Sequence, residues 1–593
     1  MIAAAGSTRF WLSLAAAGAT ALAVACGDSG GDGGGGPGPA VPTLAISGGD
    51  LQTDTVGRTL PQPLAVVFRD TLGQPVSGAT VTWSVVTGGG SVTASSVTAT
   101  DGVAGASYTV GTEATVNSIR AFTQGAAAPV FFTVHAVNDV AAQLVKAAGD
   151  SQFAVVGGST QSPYAVKAVD QYGNAVPQVS VQWSVTGGGG SVSSSSSITD
   201  ASGIARTTHT LAATGDNTVQ ATAGGLAGSP VTFISRGVLP ATYVAEVGVP
   251  ENYGAHDTFV RDGIAFLCAW NTGVIILDVG NGIRGGSPSN PVEISRLVPS
   301  DNGVPGGPAV HNAWWFHNPN TGEARYLFLG QEGPLSVGSA ASGDIHVVDV
   351  SDLANPVEVA YYHMAGAGTH NFWMDEANQI LYAAYYNGGV VALSVSGTLS
   401  GNLANREIAR VKPGGNGTFT WGVHLYNGSL YASDMTRGFF QLKLNGFNFN
   451  VLAGTNPVTT GATTDLWVAN GYAYTGVGFR SNPAVMIWRL DASGAPVLVD
   501  SLFTPSGLFN LSDVEVSPGG NLLMFSTEAG PNGGFYFYNL ADPARPVFLS
   551  RYQVTNGIHT ATFGEINGRL YAFGARNPSG PAMVILDVTT LDF

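Results

Sequence analysis

Two patterns of apolar and polar positions divide the chain. In the first, the two alternate. ATVTWSV at 79–85 puts Val81, Trp83 and Val85 on one face and Thr on the other. A period of two predicts half-buried strands. In the second, from about residue 239, short continuous apolar runs take over. Examples are GVIILDV (273–279), GVVALSV (389–395), GFYFYNL (534–540) and AMVILDV (582–588). Runs of this length between Gly, Asn and Pro predict strands of a second repeat. No helical period is sustained past the N-terminus, so the expected fold class is all-β.

The alternating region repeats itself. DTLGQPVSGATVTWSVVTGGGSV at 70–92 matches DQYGNAVPQVSVQWSVTGGGGSV at 170–192, which pairs Trp83 with Trp183. Each copy spans about 100 residues of short strands with frequent turn signals, the pattern of a β-sandwich with Trp between its sheets. The predicted domains are residues 41–140 and 141–238. The stretches DxxGxxV, VxWSV and GGGSV resemble bacterial Ig-like domains of the invasin/intimin type (Big-1). That resemblance implies rigid spacers or adhesive modules on a cell surface.

The second region carries a longer repeat. GDIHVVDVSDLANPVEVAYY at 343–362 pairs an apolar strand with an outer strand, and seven segments of each type are legible. The region opens on an outer-type strand, VAEVGV at 244–249, and ends just after a third-type one, VILDV at 584–588. Joining the two closes a ring of seven four-stranded sheets, about 50 residues each, and a closed ring protects sheet edges. The expectation is two tandem Ig-like β-sandwiches followed by a seven-bladed β-propeller over 239–593. The motif VVDVSDLANPVEV resembles the LVIVD repeat of bacterial surface propellers.

Aligning the seven units on their innermost strand gives a column of His256, His311, His370, Trp421, Thr464, Ser512 and His559. The next column is Asp257, Asn312, Asn371, Gly422, Asp465, Asp513 and Thr560. The four histidines fall on neighbouring blades of a closed ring. Turned inward, they would form a metal site for Zn, Cu or Fe. Asp257, Asn312 and Asn371 are candidates to orient the rings. The structural alternative is that these residues bridge blades through backbone hydrogen bonds. Because successive strand residues face opposite ways, only one of the two columns is expected to line the channel.

The N-terminus adds export. Arg9 precedes a run of apolar and small residues that leads to Cys26, the layout of a signal peptide over 1–25. LAVACGDSGG resembles a bacterial lipoprotein signal, which implies lipid attachment at Cys26. The Gly/Pro-rich segment to residue 40 then serves as a tether. With Gly27, not Asp, after Cys26, the expected location is the outer membrane or cell surface. The only other cysteine, Cys268, is predicted to be a buried apolar side chain.

Charge narrows the function further. The net charge is −16, without any cluster of Lys or Arg, which argues against nucleic-acid binding. No nucleophile elbow, zinc-protease helix or phosphate loop is present. Asp465, Asp513 and Glu515 are carboxylates without a catalytic spacing. The sequence therefore supports a monomeric, lipid-anchored surface protein whose propeller binds protein or glycan, with no catalytic residue or organic cofactor assigned. The alternative is a metal-dependent propeller oxidoreductase or hydrolase built on the four histidines.

Overall fold

The computed structural model describes residues 41–249, 254–456, 461–480, 482–504, 510–528, 532–577 and 582–592. The signal peptide, Cys26 and the tether lie outside the described residues. Among those described, every element is a strand apart from two three-residue 3-10 turns. No helix is long and apolar enough to cross a membrane.

The chain divides into two compact units at Asp139/Val140. The first unit is a sandwich of a three-stranded and a five-stranded sheet. Thr80–Thr87 alternates in and out, with Val81 and Trp83 buried against Phe132. The DxxG motif closes a turn: Asp70 Oδ1 accepts from the backbone N–H of Leu72 at 2.8 Å and of Gln74 at 2.9 Å. Such Asx turns are the physical content of the motif. The triple glycine answers to crowding. A Cβ on Gly90 (φ +85°) would lie 2.2 Å from the Thr109 carbonyl oxygen.

The second unit begins with the same sandwich. Its sheets carry the same strand order, and Asp170 makes the same turn to Tyr172 and Asn174. Trp183 is buried 5.9 Å from Phe233 and donates to Ser197 Oγ, as Trp83 does to Ser96 Oγ. The last strand, Val231–Val238, passes almost directly into Thr242–Val247 of the next domain. Phe153 and Val155 of this sandwich pack on a core that includes Ala241 and Leu549.

Seven sheets of four strands follow, one with a short fifth strand at its edge. The innermost strands touch in sequence, and Thr560–Ile566 touches Asp257–Arg261, which closes the circle. The seam is Thr242–Val247, antiparallel to Met583–Asp587 with Tyr243 opposite Leu586. One sheet thus takes its outer strand from the start of the domain and its other three from the end. The third strands are the continuous apolar runs. Val274–Asp278, for example, is buried throughout because neighbouring sheets cover both its faces.

Candidate functional site

All four histidines of the aligned column meet at one end of the channel. His256, His370 and His559 sit just before their innermost strands, and each is fixed by a backbone N–H bond to the second strand of its own sheet. His311 lies inside Val310–Phe316. Ring centroids follow one another at 3.9 Å (His559 to His256), 4.0 Å (His256 to His311) and 4.1 Å (His311 to His370). Trp421 continues the arc 4.2 Å from His370.

The expectation that only one column can face inward is corrected. The His column forms this cluster, while Asp257, Asn312, Asn371, Asp465, Asp513 and Thr560 line a channel cavity of about 220 Å³. In the blades of His311 and Ser512 a register shift is the reason, between Val310 and Asn312 and between Leu511 and Asp513, whereas His256, His370 and His559 precede their innermost strands and so escape the alternation. A β-bulge sets two residues against one and turns consecutive side chains to the same side.

Two carboxylates from second strands complete the cluster. Glu332 Oε2 stands 3.7 Å from His256 Nε2 and 3.7 Å from His311 Nε2. His256, His311 and Glu332 offer ligand atoms that all lie within 4.8 Å of one another. Glu332 also accepts a short hydrogen bond from Tyr386, whose ring meets His370 edge-on. Glu528 pairs with His559 Nδ1 at 2.5 Å. Neither Glu belongs to the aligned columns. Their signal in the sequence is a carboxylate closing an apolar second strand, in FLGQEG (328–333) and FSTEAG (525–530).

Of the three residues expected to orient the rings, Asn312 acts on His311 and Asn371 on His370, each opposing the burial that lowers those imidazoles. Asn371 donates to Asp465 at 2.8 Å, and Asp257 accepts from the Thr258 N–H. Asn312 Oδ1 has no hydrogen-bond partner. His370 Nδ1 is also held by the Trp421 carbonyl oxygen at 2.7 Å. Blade bridging is also present. Thr464 donates to the Leu511 carbonyl, Thr560 to the His256 carbonyl, and Asp513 accepts from the Ala561 N–H.

The electrostatics separate the histidines into two kinds. Burial, with the neighbouring imidazoles adding to it, holds His256 and His311 well below the ordinary histidine value. Burial takes His370 down to about 3. These three are neutral, the form that binds metals. Burial opposes charge on His559 too, but Glu528 outweighs it and lifts this pKa. Glu332 is pushed up to about 7 by burial.

The donor set fits a transition metal. Both ring nitrogens of His311, His256 Nδ1 and His370 Nε2 are buried without a hydrogen-bond partner. Buried polar atoms are seldom left so. Imidazole and carboxylate are the ligands that Zn and its neighbours prefer. Above the cluster opens a cavity lined by Trp270, Ala309, Pro334 and Leu335, with Glu332 on its wall. Trp270 meets His256 edge-on at 4.5 Å.

Comparison with known proteins agrees with the domain composition. Residues 145–234 match the bacterial Ig-like domain (group 1), and residues 340–364 match the LVIVD repeat. Among solved structures, the C-terminal WD40 domain of Sif2 is similar at 10% identity and a TM-score of 0.40, covering 59% of this chain and 98% of that one. The D0-D1 domain of intimin is similar at 19% identity and a TM-score of 0.15, covering 33% of this chain and 96% of that one. No curated protein matches the sequence. The class is an all-β chain of Ig-like sandwiches and a propeller, folds suited to a surface or protein-interaction role.

Proposed function

We propose that this is an exported, lipid-anchored cell-surface protein whose propeller holds a transition metal at one mouth of its channel. His256, His311 and Glu332 are its ligands, and His370 and His559 flank them. One observation carries this reading: imidazole nitrogens without hydrogen-bond partners converge with a carboxylate in a site shielded from water. Such a metal would supply an electron-pair acceptor at the floor of the mouth. Trp270, Pro334 and Leu335 would hold the apolar part of a small molecule above it, and Tyr386 would keep Glu332 aimed at the His pair. The Ig-like sandwiches carry the propeller away from the membrane, and the outer membrane is the proposed location, through lipid on Cys26.

Elemental analysis of the purified full chain tests the metal. About one Zn, Cu or Fe per chain is expected, falling at least tenfold in His311→Ala and Glu332→Gln. Metal below about a tenth per chain, or unchanged in both variants, rejects the site. Export and anchoring are tested by radiolabelled palmitate, which should label the wild type and not Cys26→Ala.

Adhesion to protein or glycan is the second reading. It is favoured by the exposed apolar side chains of Leu335 and Val337 on the loop that rims the mouth. A glycan and surface-protein array decides it. Retention that Leu335→Asp abolishes supports adhesion, and no retained ligand rejects it.

A further inference from the structure

Beneath the histidine layer lies a chamber that the metal does not use. It is lined by the second column and by a third ring, three positions beyond each residue of the His column. That ring reads Phe259, Trp314, Trp373, His424, Trp467, Glu515 and Thr562 around the channel. Five successive blades therefore present an aromatic ring at one depth, and the sixth presents a carboxylate. Phe259 lies 5.3 Å from Trp314, Trp314 lies 5.4 Å from Trp373, and Trp373 lies 3.7 Å from His424 and 5.5 Å from Trp467. The three tryptophans are only part-buried, whereas Trp315, Trp421 and Trp488 are core residues. Placed as they are, they form a collar open to the channel.

We infer that this chamber binds a small organic ammonium ion, with the aromatic collar around its alkyl groups and the carboxylates of Asp257 and Asp465 balancing its charge. Four observations carry the inference beyond a cluster of acids. Aromatic faces attract cations, most strongly where water is excluded. His424 is 3% exposed and its Nδ1 has no partner, which leaves a buried acceptor at the collar for a hydroxyl on the ligand. The chamber, at about 220 Å³, is smaller than the roughly 300–1,000 Å³ of drug-sized sites, so it selects a compact ligand. Finally, Asp257, Asp465, Asp513 and Glu515 do not form a group of three converging ligand atoms; among the described residues only His256, His311 and Glu332 do. Carboxylates spread around a ring suit an extended cation better than a bare metal ion.

The carboxylates are held in place by neighbouring blades. Glu515 accepts from the Phe563 N–H at 3.2 Å and Asp513 from the Ala561 N–H at 2.7 Å, while Asp465 accepts from Asn371. Trp373, His424, Trp467 and Glu515 also line a second cavity that runs out past Asn470 and Gly519. Part of the collar thus walls both the chamber and that outer cavity.

The test is calorimetric titration of the full chain with choline, with its neutral isostere 3,3-dimethylbutan-1-ol, and with CaCl2. The inference expects choline to bind at least ~10-fold more tightly than the isostere, the scale of a desolvated cation–π contact. It expects Asp465→Asn, which keeps the side chain's shape, to weaken choline by a similar factor. It also expects choline to change tryptophan fluorescence, a change lost in Trp373→Leu. Three results overturn it: no heat or fluorescence change with choline, equal binding of the isostere, or calcium binding that displaces choline. The isostere comparison uses the wild type alone, so a variant that fails to fold leaves the test intact.

Discussion

The seam that closes the propeller invites the sharpest stability prediction. Leu586 is fully buried in the strand Met583–Asp587, opposite Tyr243 of the domain's first strand and Ala572 of its own sheet. It packs among residues that include Phe563, Leu570 and Leu549. Leu586→Ala removes three carbons from a site that cannot collapse without moving two sheets, and comparable changes cost about 2–5 kcal/mol. Taking about 3 kcal/mol, openings of the seam become roughly 100-fold more frequent. The strand Thr242–Val247 pairs with Met583–Asp587 alone in its sheet, so its amides should record this first. Leu393 is the equivalent residue of a sheet built from contiguous chain, also buried, and serves as the control. Hydrogen exchange should quicken about 100-fold at 242–247 in Leu586→Ala, while Leu393→Ala, at similar global cost, should spare that segment. If Leu586→Ala leaves 242–247 within about threefold of wild type, the seam does not close the ring as described.

Two further outcomes test the interior. Burial raises Asp465 to about 6, above its unfolded value near 3.9, so the native state binds the proton more tightly. The stability this group contributes is full at low pH and is lost as pH rises through about 6. Asp465→Asn keeps an oxygen for Asn371 and removes the charge. It should therefore be more stable than wild type at neutral pH, by up to about 3 kcal/mol, and should flatten urea midpoints between pH about 4 and 7; a less stable variant contradicts this. Cys268 is fully buried and burial pushes its thiol well up, so it should resist an aromatic disulfide reagent in the native protein and react fully in denaturant. Rapid native labelling would place it elsewhere.

The fold was legible because its signals are local. Asp70 and Asp170 make Asx turns wherever they occur, and a run such as Val274–Asp278 is apolar throughout because sheets cover both its faces. The His column was legible because a repeat places equivalent residues at equal depth. Three things were not. The bulges that turn Asn312 and Asp513 inward leave no mark in an alternation of single residues. Glu332 and Glu528 reach the cluster from second strands, whose register against the first depends on those bulges. The collar of Phe259, Trp314, Trp373, His424 and Trp467 was not legible, since only closure of the ring shows which aromatic side chains face the channel.

Crystals of the untreated full chain, with anomalous diffraction recorded across the Zn, Cu and Fe absorption edges, would test the metal centre most directly. One peak is expected, about 2.0–2.2 Å from nitrogens of His256 and His311 and from a Glu332 oxygen. Density without an anomalous signal there, or a metal bound away from Glu332, would contradict it.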